Sequence, residues 1–392
     1  MTNLPAKPQI TALVPLKRDS RRLPNKNFLK LAGKPLACHI FNALLRLESV
    51  DRVCIYSSST EFTNKIPSGV EYIKRDPKLD LDSVRGLELL QAFVEQVPSD
   101  FYILAHATSP FTTTASLQMG VDGILSGEYD SALSVSEIKK YFWYDSKPIN
   151  YDINDIVQTQ YILPAVVETS GFYMFARDDI LKRSRRIGDR PRFVPVDIIE
   201  GIDIDDLDEF LFARRFQDLL GEGPDALGTS LQQNNNRPGI NGDIRFILFE
   251  LEGALAGPEG KVLEYVGRWL NILTGQGKGI GAMSRMLESW VPEALRELNL
   301  NGDSVLSTGK GMADDAVADL VKKYCLNAGV SPQQTAFVST SAQRRRMAEL
   351  AGMQFFHAGW ASHPGTESSI NGDVVSFESI GDAAIHFLEQ GK

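Results

Sequence analysis

Short apolar runs alternate with amphipathic stretches over almost the whole chain, and this alternation limits the fold more than any other feature. From about residue 9 to 220 the apolar runs are ITALVPL, DRVCIYS, VEYIKR, DFYILAHA, DSALSVS and GFYMFA. Between them, residues 35–47, 83–97, 115–126 and 206–220 carry a helical period. The pattern predicts an α/β fold: a mainly parallel sheet with helices on both faces. The segment GEGPDALGTSLQQNNNRPGING, residues 221–242, is rich in Gly, Asn, Gln and Pro and has no apolar period, so it reads as a linker. The alternation restarts at IRFILFELEGAL. Strands are expected at DSVLST, TAFVST, MQFFHA and DVVSF, and helices over 259–275, 283–299, 313–328, 341–352 and 378–389. The expected division is a first α/β domain over 1–221, a linker over 222–242 and a second α/β domain over 243–392.

Charge narrows the function classes. The 392 residues include 41 Lys and Arg against 50 Asp and Glu, a net charge of −9. That argues against general nucleic-acid binding. The three cysteines form no CxxC pair, and Cys38 and Cys54 sit in apolar runs as core residues would. Five scattered histidines lack zinc-site spacing. MTNLPAKPQ is not an apolar signal segment, and no run approaches the length of a membrane span. A cytoplasmic protein without a membrane partner is expected.

Against this acidic background, LVPLKRDSRRLPNKN places Lys17, Arg18, Arg21, Arg22 and Lys26 in one loop between a strand and a helix. Such a cluster suits an anion with several charges, a triphosphate above all, aided by backbone N–H groups and the helix dipole. The loop lacks GxxxxGK[ST] and has no glycine between Leu16 and Phe28. A second segment, EGIDIDDLDEF, would as an extended strand turn Ile202 and Ile204 to a core and Asp203 and Asp205 to the opposite face. Two such carboxylates suit Mg²⁺, which takes a few carboxylates plus phosphate oxygens. Asp206 and Asp208 would cap the next helix. A third, LAHATSPF, puts His106, Thr108 and Ser109 at the carboxyl end of a strand, where open α/β sheets bind ligands.

In order and spacing these motifs resemble the acylneuraminate cytidylyltransferase family, whose members make CMP-activated sugars. LKRDSRRLPNKN followed by GKPL resembles the family's opening A-R-x-G-S-K-x-x-x-x-K-N and G-K-P-L. IKRDPKLDLDS resembles its R-P-x-x-L-x-x-D-[ST], HATSPF its [QH]-x-T-[SA]-P, ETSGFYMF its product-side strand and IDIDDLDEF its D-I-D metal segment. The resemblance covers residues 9 to about 220 and implies a Rossmann-like, GT-A-like nucleotidyltransferase sheet. It implies that Lys17, Arg21 and Lys26 act on the triphosphate and its leaving pyrophosphate, and that Leu16, Ser20, Asn27, Arg75, Asp82 and Ser83 bind the nucleotide. His106, Thr108 and Ser109 would meet the acceptor, and Asp203 and Asp205 would hold Mg²⁺.

The expected reaction carries CMP from CTP to an acidic sugar of the nonulosonic type. Kdo or a phosphonate acceptor, another nucleotidyl or glycosyl transfer, and a non-catalytic ligand-binding scaffold are the alternatives. KKYFWYDSKP (139–148) and SRRIGDRPRF (184–193) offer cations for an acidic acceptor or, in the first case, an aromatic subunit contact. A homo-oligomer, dimer or tetramer, is expected.

The second domain resembles haloacid-dehalogenase-type (HAD) phosphatases, which open on D-x-D-G-[TS]. Here Glu250 and Glu252 stand at the acidic pair and Ala254 at the hydroxyl position, while Ser339, Thr340 and Arg344 stand where later acids belong. A glutamate displaces the nucleophilic oxygen by roughly 1 Å, a costly shift in catalysis. This domain is expected to lack phosphatase activity and to serve assembly.

Overall fold

Two units, residues 1–229 and 230–392, divide the chain. The computed structural model describes residues 7–220, 243–257, 259–285, 290–309, 311–342, 344–361 and 374–389. The predicted linker lies outside the described residues.

The first unit runs through β1 Ile10–Pro15, a small hairpin of β2 Lys30–Leu31 and β3 Lys34–Pro35, α1 Leu36–Leu44, β4 Arg52–Ser57, β5 Val70–Lys74, α2 Gly86–Gln96, β6 Phe101–Ala105 and α3 Thr114–Leu125. It continues through β7 Ser131–Ile138, a second hairpin of β8 Trp143–Tyr144 and β9 Lys147–Pro148, β10 Ala165–Ala176, α4 Arg177–Leu181, β11 Pro191–Pro195 and α5 Leu207–Leu220. Seven strands form one sheet in the order β11-β7-β10-β6-β1-β4-β5. All neighbours are parallel except β10, which runs antiparallel to both β6 and β7.

Alternation along each strand feeds two cores. Ala12, Val14, Ile55 and Ile103 pack with Ile40 and Phe41 of α1 on one face. Leu13, Cys54, Tyr56 and Leu104 pack with Leu90 and Phe93 of α2 on the other. All three cysteines are buried and unbridged. Burial pushes the Cys54 thiol up to about 12, so it stays protonated as a core residue should. The chain order reverses at β1, with β4 on one side and β6 on the other, and this opens a crevice at the carboxyl ends of β1 and β6.

One buried acid fixes the far wall of that crevice. Glu200, 8% exposed, accepts from the Thr113 backbone N–H at 2.9 Å, Thr113 Oγ1 at 3.2 Å and Ser116 Oγ at 2.9 Å. It thereby caps α3 from outside the helix and anchors the EGIDID segment. The Ile204 N–H then donates to the Thr108 carbonyl at 2.7 Å.

The second unit repeats the architecture. Its elements are β12 Phe246–Glu250, α6 Val266–Gly275, β13 Gly279–Ser284, α7 Val291–Glu297, β14 Val305–Ser307, α8 Asp314–Asn327, β15 Thr335–Ser339, α9 Arg344–Ala351, β16 Gln354–Ala358, β17 Ser376–Phe377 and α10 Ile380–Glu389. The sheet is wholly parallel in the order β14-β13-β12-β15-β16-β17.

Besides the two short hairpins, two strands of the main sheets depart from the sequence expectation. β11, PRFVP, carries prolines at both ends, and it tolerates them because it is an edge strand paired only with β7. β13 begins in a glycine-rich run and ends at Ser284, inside the region expected to be helical from 283. A Cβ at Gly279 would sit 2.4 Å from the Phe246 ring, and one at Gly281 would sit 2.6 Å from the Tyr324 hydroxyl. These glycines make room for aromatic packing, and a sequence pattern of apolar periods cannot register that.

The Glu200 anchor gives a test. Glu200→Ala leaves three donors at the start of α3 without their buried acceptor and should cost about 1–3 kcal/mol. The urea midpoint of the N-terminal unit's transition should fall, whereas Glu200→Gln, which keeps an acceptor oxygen, should lose less.

Candidate active site

The basic loop leaves β1 at Pro15 with its charges already interleaved with acids. Lys17 Nζ donates to the Asp80 carbonyl at 2.6 Å and lies 3.9 Å from Asp82, which also pairs with Arg21. Arg18 donates to Glu61 at 2.7 Å and to the Asn25 side chain, with its guanidinium 5.0 Å from the Phe28 ring centroid. Arg22 and Lys26 reach Asp205 at 2.5 and 3.0 Å, and Lys26 Nζ also donates to the Ile204 carbonyl at 2.8 Å. Asn27 Nδ2 closes the loop on the Lys17 carbonyl at 3.0 Å. In place of a glycine, Asn25 takes the left-handed conformation, φ 56°, and turns the chain into the short helical turn Lys26–Phe28. Helix α1 begins only at Leu36, beyond the β2–β3 hairpin, and it does not line the crevice. The expected strand–loop–helix juxtaposition is therefore not formed, and side chains carry the loop's charge.

Most of these ion pairs are accessible. The Arg21 side chain is 80% exposed and Asp82 54%, so their pairing contributes little stability and can be exchanged for another anion. Lys26 differs, being 9% exposed and held by two acceptors.

Opposite the loop stand His106, Thr108 and the 202–206 segment. Ile202–Asp205 form no strand, which corrects the expectation of an extended D-x-D strand. Only the Ile204 N–H reaches a neighbouring strand end, and Ile204 is fully buried between two half-exposed aspartates. Asp206 does cap α5, accepting from the Glu209 N–H at 3.0 Å, and the Glu209 carboxylate accepts in return from Asp205 N at 2.6 Å and Asp206 N at 3.1 Å. Burial raises the Asp205 carboxyl, but Lys26 and Arg22 outweigh it and hold the group below its ordinary value. Asp203 buries one carboxylate oxygen, Oδ1, that has no hydrogen-bond partner.

His106 donates through Nδ1 to the Ser170 carbonyl. Since a carbonyl can only accept, Nδ1 carries the proton and Nε2 is left as an acceptor. Burial lowers the imidazole's pKa from its ordinary value, and Arg186 adds to this. The Ser170 hydrogen bond, Asp203 and Asp205 pull the other way and lose.

A cleft of about 740 Å³ unites the expected residues. Leu16, Lys17, Ser20, Arg21, Lys26 and Asn27 line its loop side, and Asp82, His106, Thr108 and Asp205 face them. Four expected residues do not line it. Arg75 is 1% exposed and lies under the loop, donating to the carbonyls of Leu16 at 2.8 Å and Tyr56 at 3.1 Å and to the Asp80 carboxylate. Ser83 is exposed outside the cleft, Ser109 is wholly buried behind it, and Asp203 sits behind Asp205 in sequence with its orphan oxygen inward. Sequence reasoning missed Asp80, whose carboxylate and carbonyl serve Arg75, Ser58 and Lys17. It also missed Glu168 and Tyr173, whose meeting depends on a strand irregularity that no residue type announces.

In the second unit the central strand ends in a buried acid. Glu250 is wholly buried at the end of β12, accepts from Ser339 Oγ, and lies 2.8 Å from Arg285 and 3.7 Å from Arg344. Glu252 accepts from Ser284 Oγ at 2.6 Å and the Arg285 N–H at 3.1 Å. Arginines thus stand beside the buried acid. No group of three or more His, Cys, Asp or Glu among the described residues could hold a metal.

An open α/β sheet with a cation-rich crevice at its switch point defines a domain built to hold a polyanionic ligand. Residues 11–152 match the family described as cytidylyltransferase. The chain is 27% identical over 133 residues to the N-acylneuraminate cytidylyltransferase of Streptococcus agalactiae, covering 33% of this chain and 32% of that protein. It is 25% identical over 206 residues to N-acylneuraminate cytidylyltransferase A of Danio rerio, 50% of this chain and 48% of that one. It is 29% identical over 137 residues to the CMP-N,N'-diacetyllegionaminic acid synthase of Legionella pneumophila, 33% of this chain and 59% of that one. The match to the streptococcal protein thus spans about a third of its length.

His106 makes a pH prediction. Its folded pKa lies below the ordinary 6.5, so the neutral ring contributes stability above that value, and the contribution is lost as pH falls below it. The unfolding free energy of the N-terminal unit should drop as the pH falls below about 6.5. His106→Gln should flatten that part of the curve, and an unaltered pH dependence would contradict a buried neutral imidazole.

Proposed function

We propose that the N-terminal unit transfers CMP from CTP to an acidic sugar of the nonulosonic type and releases pyrophosphate. One observation carries the reading: cations from a single loop face a cleft that His106, Thr108 and Asp205 close from the other side. Asp82 holds Lys17 and Arg21, and Asp205 holds Arg22 and Lys26. A triphosphate entering the cleft replaces those carboxylates, so the cations are prepositioned and exchange one anion for another. In the transfer the acceptor oxygen forms a bond to the α-phosphorus while the bond to the bridging oxygen of pyrophosphate breaks. Charge rises on the leaving oxygens, and positioned cations are the groups that stabilise it.

Mg²⁺ belongs to the proposal through Asp203 and Asp205. The buried, unpartnered Oδ1 of Asp203 fits a cation ligand, and two carboxylates plus phosphate oxygens suit a hard ion. Bound there, the ion would supply further charge neutralisation at the phosphates. The second unit hydrolyses no phosphate ester in this reading, because Arg285 and Arg344 occupy the surroundings of Glu250.

The insert after β7 supports self-association. Trp143, Tyr144, Ile149, Ile153, Ile156, Tyr161 and Leu163 are each more than half exposed. Large apolar patches of this kind mark protein contacts, and a second copy of the chain is the proposed partner. No helix among the described residues is long and apolar enough to cross a membrane.

A single assay tests the reaction. Wild-type chain with CTP, Mg²⁺ and an N-acylated nonulosonic acid should release pyrophosphate, and Asp205→Asn should cut the rate by about a hundredfold or more with the fold intact. Without coupling pyrophosphatase, the same chain should liberate no inorganic phosphate from sugar phosphates. A near-normal rate in Asp205→Asn would remove the metal assignment, and phosphate release would make the second unit a phosphatase.

A further inference from the structure

A second cavity of about 650 Å³ opens beside the cleft and shares Pro15 and His106 with it. Its walls are apolar, built by Leu87, Leu89, Leu90, Leu104 and Ile187, and its polar lining is dominated by Arg85, Arg185 and Arg186. Arg185 is committed to Asp189 at 2.7 Å. Among the described residues no carboxylate pairs with Arg85, so the pocket carries surplus positive charge.

Arg186 is fixed in place by two neighbours. Its guanidinium lies 3.7 Å from the Tyr173 ring centroid and donates to Glu168 at 3.1 Å, while the Tyr173 hydroxyl donates to the same Glu168 oxygen at 2.6 Å. Glu168 and Tyr173 are five residues apart, a spacing that puts side chains on opposite faces of a regular strand. The β10 register shifts between them: Glu168 lies opposite Val135 and Tyr173 opposite Leu133, two residues apart on β7. Ser170, at φ 62°, absorbs the surplus residues in the left-handed region. The irregularity returns both side chains to one face and assembles the seat for Arg186. Burial, then Glu168, pushes the Tyr173 phenol up to about 12, so it remains a donor at any working pH.

We propose that this pocket selects the acceptor, that Arg186 receives the acceptor's carboxylate, and that the leucine-lined walls favour acids bearing an N-acyl group over acids that carry hydroxyls there. The inference rests on the transfer reading above. A guanidinium offers five N–H donors, and the bond to Glu168 leaves others available for a second carboxylate. Burying hydroxyls against leucine without partners costs free energy, whereas methyl and methylene groups gain by it. Because His106 lines both cavities, an acceptor held here borders the phosphates. Glu168 and Tyr173 act as positioning residues.

The test separates acceptor from nucleotide. Arg186→Gln should raise the acceptor KM by about tenfold to a hundredfold while leaving the CTP KM within about twofold. Arg186→Lys should recover part of the loss, since it restores charge without the planar fork. Tyr173→Phe should raise the acceptor KM less, because the ring remains. With the wild type, kcat/KM for N-acetylneuraminic acid should exceed that for Kdo. Binding of N-acetylneuraminic acid without CTP, followed by saturation-transfer NMR, should weaken in Arg186→Gln and keeps the inference testable apart from turnover. Arg186-dependent binding without pyrophosphate release would sink the transfer reading and leave the pocket standing. Turnover with an unchanged acceptor KM in folded Arg186→Gln, or a rise confined to the CTP KM, would overturn the assignment, the latter placing the nucleoside here. A preference for Kdo would overturn the apolar selectivity.

Discussion

The charged cleft depends on one buried cation. Arg75 follows β5 and pushes its guanidinium beneath the basic loop, where it joins the ends of β1 and β4 through the carbonyls of Leu16 and Tyr56. Its charge is met by Asp80, which also receives Ser58 and, through its carbonyl, Lys17. The Arg75 guanidinium also lies 5.6 Å from the Tyr56 ring centroid. A charge this deep is stable only when paired and hydrogen-bonded. That requirement fixes the turn carrying Asp80 and Asp82 against the loop carrying Lys17 and Arg21. The exposed cations owe their positions to the buried one.

The two units resolve a charged switch point in opposite ways. In the first, acids and cations meet at the surface of a cleft, and pairs such as Arg21–Asp82 can be exchanged for a ligand at small cost. In the second, Glu250 is sealed at the end of its strand, and removing one partner of such a pair would strand a buried charge. Exposure, more than residue type, separates the two: the first has exposed, exchangeable pairs and the second a buried acid.

Much of this was legible in the sequence. Apolar runs revealed most strands because burial on both faces needs continuous hydrophobic residues, and the density of Lys and Arg in one loop marked a wall of the cleft. Three things were hidden. β13 is written in glycines that yield space to Phe246 and Tyr324, and β11 carries prolines that only an edge strand accepts. The IDID segment alternates like a strand, but Glu200 and the bonds of the Ile204 N–H to Thr108 and of Lys26 to the Ile204 carbonyl hold it as a loop. Arg75 and Arg186 carry the same side chain in basic sequence contexts, yet one lies buried as a strut and the other lines a pocket. Long-range partners, Asp80 for one and Glu168 with Tyr173 for the other, decide the difference.

The central claim is that the loop's cations are prepositioned for a nucleoside triphosphate. Calorimetric titration of CTP into the wild type and into the double variant Lys17→Ala, Arg21→Ala tests it most directly. The account predicts that the double variant, folded as the wild type, binds CTP about tenfold or more weakly and shows a shallower dependence of affinity on salt. Equal affinity and equal salt dependence in the two proteins would contradict it.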